Sequence, residues 1–127
     1  MKSVLLDTHA WAWSLLGGEF LSEKARGAIE KAESVFVSPI SFFEIAQKTR
    51  IGKWPQMEPF LDRLPDMLRT QGGVVAVLSP EIALMAGFMP WSHRDPFDRF
   101  LAATAAHYGL PLISADTIFD GLLARVW

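Results

Sequence analysis

Hydrophobic and polar positions divide this chain into short apolar runs, each followed by a longer stretch at helical spacing. Ser3-Val4-Leu5-Leu6 reads as a buried strand that ends at Asp7. Asp7 or Thr8 can cap a helix over 10–16, which Gly17-Gly18 stops. Ser22 opens a second helix, with Ala25, Ala28, Ile29 and Ala32 facing inward. Val35-Phe36-Val37 is a second strand, and Ser38-Pro39 starts a helix whose stripe runs Ile40, Phe43, Glu44, Gln47, Ile51. Gly52 ends it, and Trp54-Pro55 begins a connection into Phe60, Leu61, Leu64 and Leu68, with a kink predicted at Pro65. Val74 to Leu78 reads as a third strand. Ser79-Pro80-Glu81 repeats the cap-and-proline start, ahead of a stripe of Ile82, Met85, Ala86 and Met89. Leu112-Ile113-Ser114 is a fourth strand, and the stretch 122–127 supplies a short fifth at an edge.

One helix has both ends written into the sequence. Asp95 suits its N-cap, Pro96 its first position, Gly109 the left-handed turn that ends it, and Pro111 forbids continuation. Phe97, Phe100, Leu101, Ala105 and Tyr108 form its apolar stripe, with a second acid, Asp98, set among them in the first turn. Strands alternating with helices imply an α/β fold with a parallel sheet covered on both faces. Ligand sites in such sheets lie beyond the carboxyl ends of the strands, where strand order reverses.

Composition narrows this picture. A chain of 127 residues, 50% hydrophobic, suits one domain with a real core. It has no cysteine, which excludes disulfides and thiolate metal sites and fits a reducing compartment. No basic-then-apolar leader and no membrane-length apolar run is present, so a soluble cytoplasmic protein is expected. The net charge of −2 argues weakly against a nucleic-acid partner. That objection softens if acids are gathered at a metal, because the remaining surface then carries a small basic surplus.

Four acids can reach one rim of the expected sheet. Asp7 follows the first strand, Asp116 the fourth, Glu44 lies on the helix after the second, and Asp98 on the helix before the fourth. Each has a plainer role available: Asp7 as a cap, Asp116 in a turn, Glu44 paired with Lys48 one turn on, Asp98 facing the helix dipole. Together they would repel one another unless a cation sat between them, and hard divalent ions such as Mg2+ or Mn2+ take oxygen ligands.

Leu5-Leu6-Asp7-Thr8-His9, Ser41-Phe42-Phe43-Glu44-Ile45, Asp95-Pro96-Phe97-Asp98-Arg99 with Leu101-Ala102-Ala103-Thr104-Ala105, and Ser114-Ala115-Asp116 resemble the ordered motifs of PIN domains. More narrowly the chain resembles the VapC-type toxins of bacterial toxin–antitoxin pairs, over essentially its full length. The resemblance implies a single PIN-like domain over 1–127, a three-layer α/β fold with a central parallel sheet of four to five strands flanked by helices. It also implies a Mg2+- (or Mn2+-) dependent endoribonuclease with Asp7, Glu44, Asp98 and Asp116 as catalytic and metal-binding acids. Ser114 matches the small hydroxyl residue that accompanies the last acid. An RNA substrate, a cognate antitoxin protein and a homodimer are the implied partners.

The other polar residues are less telling. His9, His93 and His107 lack metal spacing with one another and suit surface or packing roles. Arg94 and Arg99 flank the expected site, where each could hold a phosphate or pair with the acids. Lys48, Arg50 and Lys53 read as a solvated basic face. Trp11, Trp13 and Trp54 are either core or anchors of a protein-binding groove. Two other functions compete: a non-catalytic RNA- or protein-binding module, which needs no metal, and a phosphate-handling receiver. The receiver needs a lysine after a late strand, and none follows Leu112-Ile113-Ser114.

Overall fold

A computed structural model describes residues 2–127. Its sheet is built from β1 (Val4–Leu6), β2 (Val35–Val37), β3 (Val74–Val75), β4 (Leu112–Ile113) and β5 (Arg125–Val126), in the order β3-β2-β1-β4-β5. Every pairing is parallel. The helices are α1 (Thr8–Leu15), α2 (Glu23–Lys31), α3 (Pro39–Arg50), α4 (Leu64–Thr70), α5 (Pro80–Phe88) and α6 (Pro96–Tyr108). The α/β reading therefore holds, with the strand order reversing between β1 and β4. That gap is where the two strand-end acids arrive.

Alternation along β1 divides the core. Val4 and Leu6 join Trp11, Ala25, Ile45, Met57, Leu64, Leu68 and Ile113 on one face. Leu5 joins Leu101, Ala105, Leu112 and Phe119 on the other. Three of the four alanines of α6, at 102, 103 and 105, are buried, which lets its backbone lie close to the sheet. α5 packs along α6, with Ile82 and Ala86 against Ala103.

Several expected details are corrected. β3 has only two residues, and Val74, Val75 and Val77 are exposed, because β3 is a sheet edge with nothing beyond it. Pro65 does not kink a helix; a 3-10 segment over Pro55–Arg63 precedes it, and Pro65 sits in the first turn of α4, where its missing N–H costs nothing. The inward face of α3 is Ser41, Glu44, Ile45 and Thr49, whereas Phe43 and Ile51 are exposed. Tyr108 is likewise exposed, its hydroxyl donating to the carbonyl of Val77. Trp11 is fully buried against Phe42, its indole N–H donating to Gln71 at 2.9 Å, so it belongs to the core and anchors no partner. Among the described residues no helix is long and apolar enough to cross a membrane.

Candidate acidic active site

Asp7, Glu44, Asp98 and Asp116 line one cleft of about 410 Å³, together with Thr8, His9, Trp13, Lys48 and Asp95. Two of these acids are fixed by the strands that precede them. Asp7 continues β1 through its N–H, which donates to Ile113 at 3.0 Å, and its Oδ1 accepts the N–H of Ala10 at 2.7 Å as the N-cap of α1. Asp116 follows β4, and its Oδ1 accepts the N–H of Ile118 at 3.0 Å, capping a 3-10 turn over Thr117–Phe119. Capping and site membership are thus not alternatives here. Ser114, fully buried between them, accepts the N–H of Asp116 at 3.0 Å and turns its hydroxyl to Asp7.

The other two acids arrive on helices. Glu44 is buried on the inner face of α3 and makes an ion pair of 2.7 Å with Lys48, so the i,i+4 contact forms inside the cleft. The basic-face reading is corrected for Lys48, which lines the site. Beside Glu44, Ser41 accepts the hydroxyl of Thr8 at 2.9 Å and ties α3 to the start of α1. Asp95 accepts the N–H of Asp98 at 3.1 Å as the cap of α6, and Gly109 ends that helix at φ +64°. Asp98, half-buried, is left to face the cleft.

Burial dominates the electrostatics. Asp7 is only 8% exposed. Its burial raises its pKa from 3.8 to about 6, opposed by the Ser114 hydroxyl and the Ala10 N–H, with the charges of Asp98 and Glu44 adding to the rise. Burial likewise raises Asp98, opposed by its hydrogen bond from His93. Folding therefore binds protons at Asp7 that the unfolded chain releases, and stability falls as pH rises from about 4 through 6. Above that window the buried charge costs roughly 3 kcal/mol, the equivalent of its shift from 3.8 to about 6. Melting without divalent ions should show this decline, and Asp7→Asn should flatten most of it and melt higher at pH 7. An equal pH slope in the variant would assign the decline to other groups.

One residue was read only in part from sequence, and another was misread. His93, expected at the surface or in packing, lies 2.7 Å from Asp98 by its Nε2 and packs on Trp91. Histidine-to-histidine spacing could not reveal it, because its partner is an acid five residues on. Arg99 neither pairs with the acids nor offers itself to phosphate. Its guanidinium donates to the carbonyls of Ala86, Trp91, His93 and Met89 at 2.6–2.9 Å, with Gly87 farther at 3.5 Å, and so holds the whole connection from α5 to α6. Arg94 is exposed and lines a hollow beside Pro96 and Phe100, outside the acidic cleft. His9 stands at the mouth, stacked on Trp54 at 4.8 Å, with Trp13 and Trp54 both half-buried.

The donor set suits a divalent cation. Four carboxylates converge from four elements, and burial disfavours the ionised state of Asp7 and Asp98, a disadvantage that a bound positive charge reverses.

Comparison with known proteins places the chain in a family. The family model of the PIN domain matches residues 4–122. The chain is 34% identical over 119 residues to Ribonuclease VapC22 of Mycobacterium tuberculosis (strain ATCC 25618 / H37Rv), an alignment covering 91% of this chain and 88% of that protein. In backbone it resembles the crystal structure of VapBC2 from Rickettsia felis bound to a DNA fragment from their promoter (TM-score 0.63, 12% identity, 97% of this chain and 96% of that one). It also resembles FitAcB from Neisseria gonorrhoeae (TM-score 0.65, 19% identity, 96% and 95%). With motif acids, fold and relatives in agreement, the chain belongs to the PIN-domain family, among its VapC-like members.

Proposed function

We propose that this chain is a divalent-metal-dependent endoribonuclease, the toxin of a toxin–antitoxin pair acting in the cytoplasm. The observation that carries this reading is the convergence of Asp7, Glu44, Asp98 and Asp116 on one cleft at the strand-order reversal. Membership of the family and the likeness to a ribonuclease over most of the chain support the reaction class. These four acids would hold Mg2+ or Mn2+, which supplies an activated water and charge for the departing oxygen of a phosphodiester.

The chain's own groups prepare that chemistry. The caps on Asp7 and Asp116 fix one oxygen of each carboxylate and leave the other for the cleft. Ser114 holds the backbone of Asp116 through its hydroxyl and lowers the cost of charge on Asp7. Lys48 pairs with Glu44 and adds a positive charge at the wall where an RNA backbone would pass. A competing module that only binds RNA or protein would not need four acids gathered in one cleft, two of them buried.

Metal dependence is the direct test. Saturating Mg2+ or Mn2+ should raise the melting temperature, and EDTA should stop RNA cleavage. Cleavage that survives EDTA, with melting indifferent to either ion, would remove the metal site and the metal-dependent mechanism together.

The reading includes a homodimer and an antitoxin. Leu84 (73% exposed) and Phe88 (92% exposed) on α5, with Met85, Met89 and Pro90, form an apolar hollow of about 570 Å³ that suits a second copy. Phe88→Asp should leave a monomer in light scattering, and an unchanged dimer would move the interface elsewhere. An antitoxin segment suits the groove of about 340 Å³ between the α1–α2 turn and α4, lined by Leu21, Ile29 and Leu68. Trp13 and Trp54 lie outside this groove, beside His9 at the acidic cleft.

A further inference from the structure

Among the described residues, the most closely drawn group of possible metal donors is not the set of motif acids. It is His93, Asp95 and Asp98, each offering one ligand atom within 4.8 Å of the others. His93 is not incidental to this group. Its ring packs on Trp91, and the carbonyls of both residues are held by Arg99, which is itself the neighbour of Asp98 in α6. The imidazole is therefore aimed at Asp98 Oδ2, 2.7 Å from Nε2, by a braced segment of backbone. Asp95 already spends Oδ1 on the N–H of Asp98, whereas His93 Nε2 is engaged by Asp98 itself, the acid of this group that faces the cleft.

We propose that His93 Nε2 is a ligand of the cation bound at Asp98, so that the centre mixes imidazole with carboxylate. When the cation binds, the hydrogen bond between His93 and Asp98 is exchanged for two bonds to the ion, and the proton on Nε2 is released to solvent or resides on Nδ1. A nitrogen donor shifts selectivity, because Mg2+ prefers an all-oxygen shell with retained waters, whereas imidazole suits first-row transition ions. The site should thus take Mn2+ in preference to Mg2+ by more than an all-carboxylate centre would. This rests on the proposed metal site, and the test separates the two.

The measurement is pulsed electron paramagnetic resonance on the full chain loaded with Mn2+, which detects a directly coordinated imidazole nitrogen, alongside calorimetric titration with Mn2+ and Mg2+. The wild type should show nitrogen coupling. His93→Gln should lose it, with Mn2+ affinity falling at least about tenfold and Mg2+ affinity changing less, on the scale of removing one group that serves a metal. His9→Gln and His107→Gln should both retain the coupling, which keeps the assignment testable should His93→Gln fold poorly. Tight Mn2+ binding without nitrogen coupling overturns the His93 ligand and leaves the acidic site standing. Coupling that vanishes in His9→Gln overturns it as well. Failure of the wild type to bind either ion overturns the metal site itself, and this proposal with it.

Discussion

Asp98→Asn should yield a folded protein that scarcely cleaves RNA, whereas Asp95→Ala should yield a less stable one that still does. The two acids lie three residues apart at the start of α6, and a motif alone does not say which serves the reaction. Proline disfavours helical geometry for its predecessor, so Asp95 stands outside the helix with Oδ1 on the N–H of Asp98. Its removal costs about 1 kcal/mol, the usual value of an N-cap. Asp98 lies within the first turn and faces the cleft that Asp7 and Asp116 share. Asparagine keeps its shape but not its charge, so activity should fall by at least about 10²–10³-fold, the scale on which one preorganised electrostatic group acts. The apo protein should melt no lower than wild type, because a partly buried charge has gone. Activity and melting curves for both variants decide the matter. A dead, stable Asp95→Ala beside an active Asp98→Asn would exchange the two roles.

Arg99→Met should be among the most destabilising single changes in the chain. Met preserves much of the aliphatic length but leaves the carbonyls of Ala86, Met89, Trp91 and His93 without their shared donor. Hydrogen bonds from a charged donor contribute more than neutral ones, and partly buried acceptors left unpaired add to the loss. The expected cost is on the order of 3 kcal/mol. Arg99→Lys should recover little, because an ammonium cannot reach in the several directions that a planar guanidinium serves. Urea unfolding of the three proteins checks this. A loss below about 1 kcal/mol for Arg99→Met would show that the α5–α6 connection holds its course without the clamp.

The strands and caps were legible because local chemistry determines them. Asp7, Ser22, Ser38, Ser79 and Asp95 all cap helices through their own side chains, and each stands beside the helix it starts. What misled was whatever depended on distant neighbours. The apolar run from Val74 has strand character along its length, yet only two residues pair, since β2 supplies the one partner edge available. Phe43 was placed on the inner stripe of α3 because it is apolar. The small Ser41 takes that face instead, beside Glu44, which the expected stripe did include, because the face borders the cleft. The four acids that line the cleft stood out in the sequence because they recur in the order of a known set of motifs. His93 and the carbonyl clamp of Arg99 were missed, since both depend on the path of the chain between α5 and α6.

The double duty of Asp7 and Asp116 has a practical consequence for anyone dissecting this protein. Alanine at either position would silence the site and unfasten the turn behind it at the same time, so an inactive alanine variant would not reveal which loss mattered. Asparagine retains a side-chain oxygen that can still accept the same N–H, and separates the two effects. A catalytically silent but structurally faithful protein, the form needed to trap an uncut RNA or to produce a harmful nuclease in quantity, is therefore to be sought in asparagine substitutions.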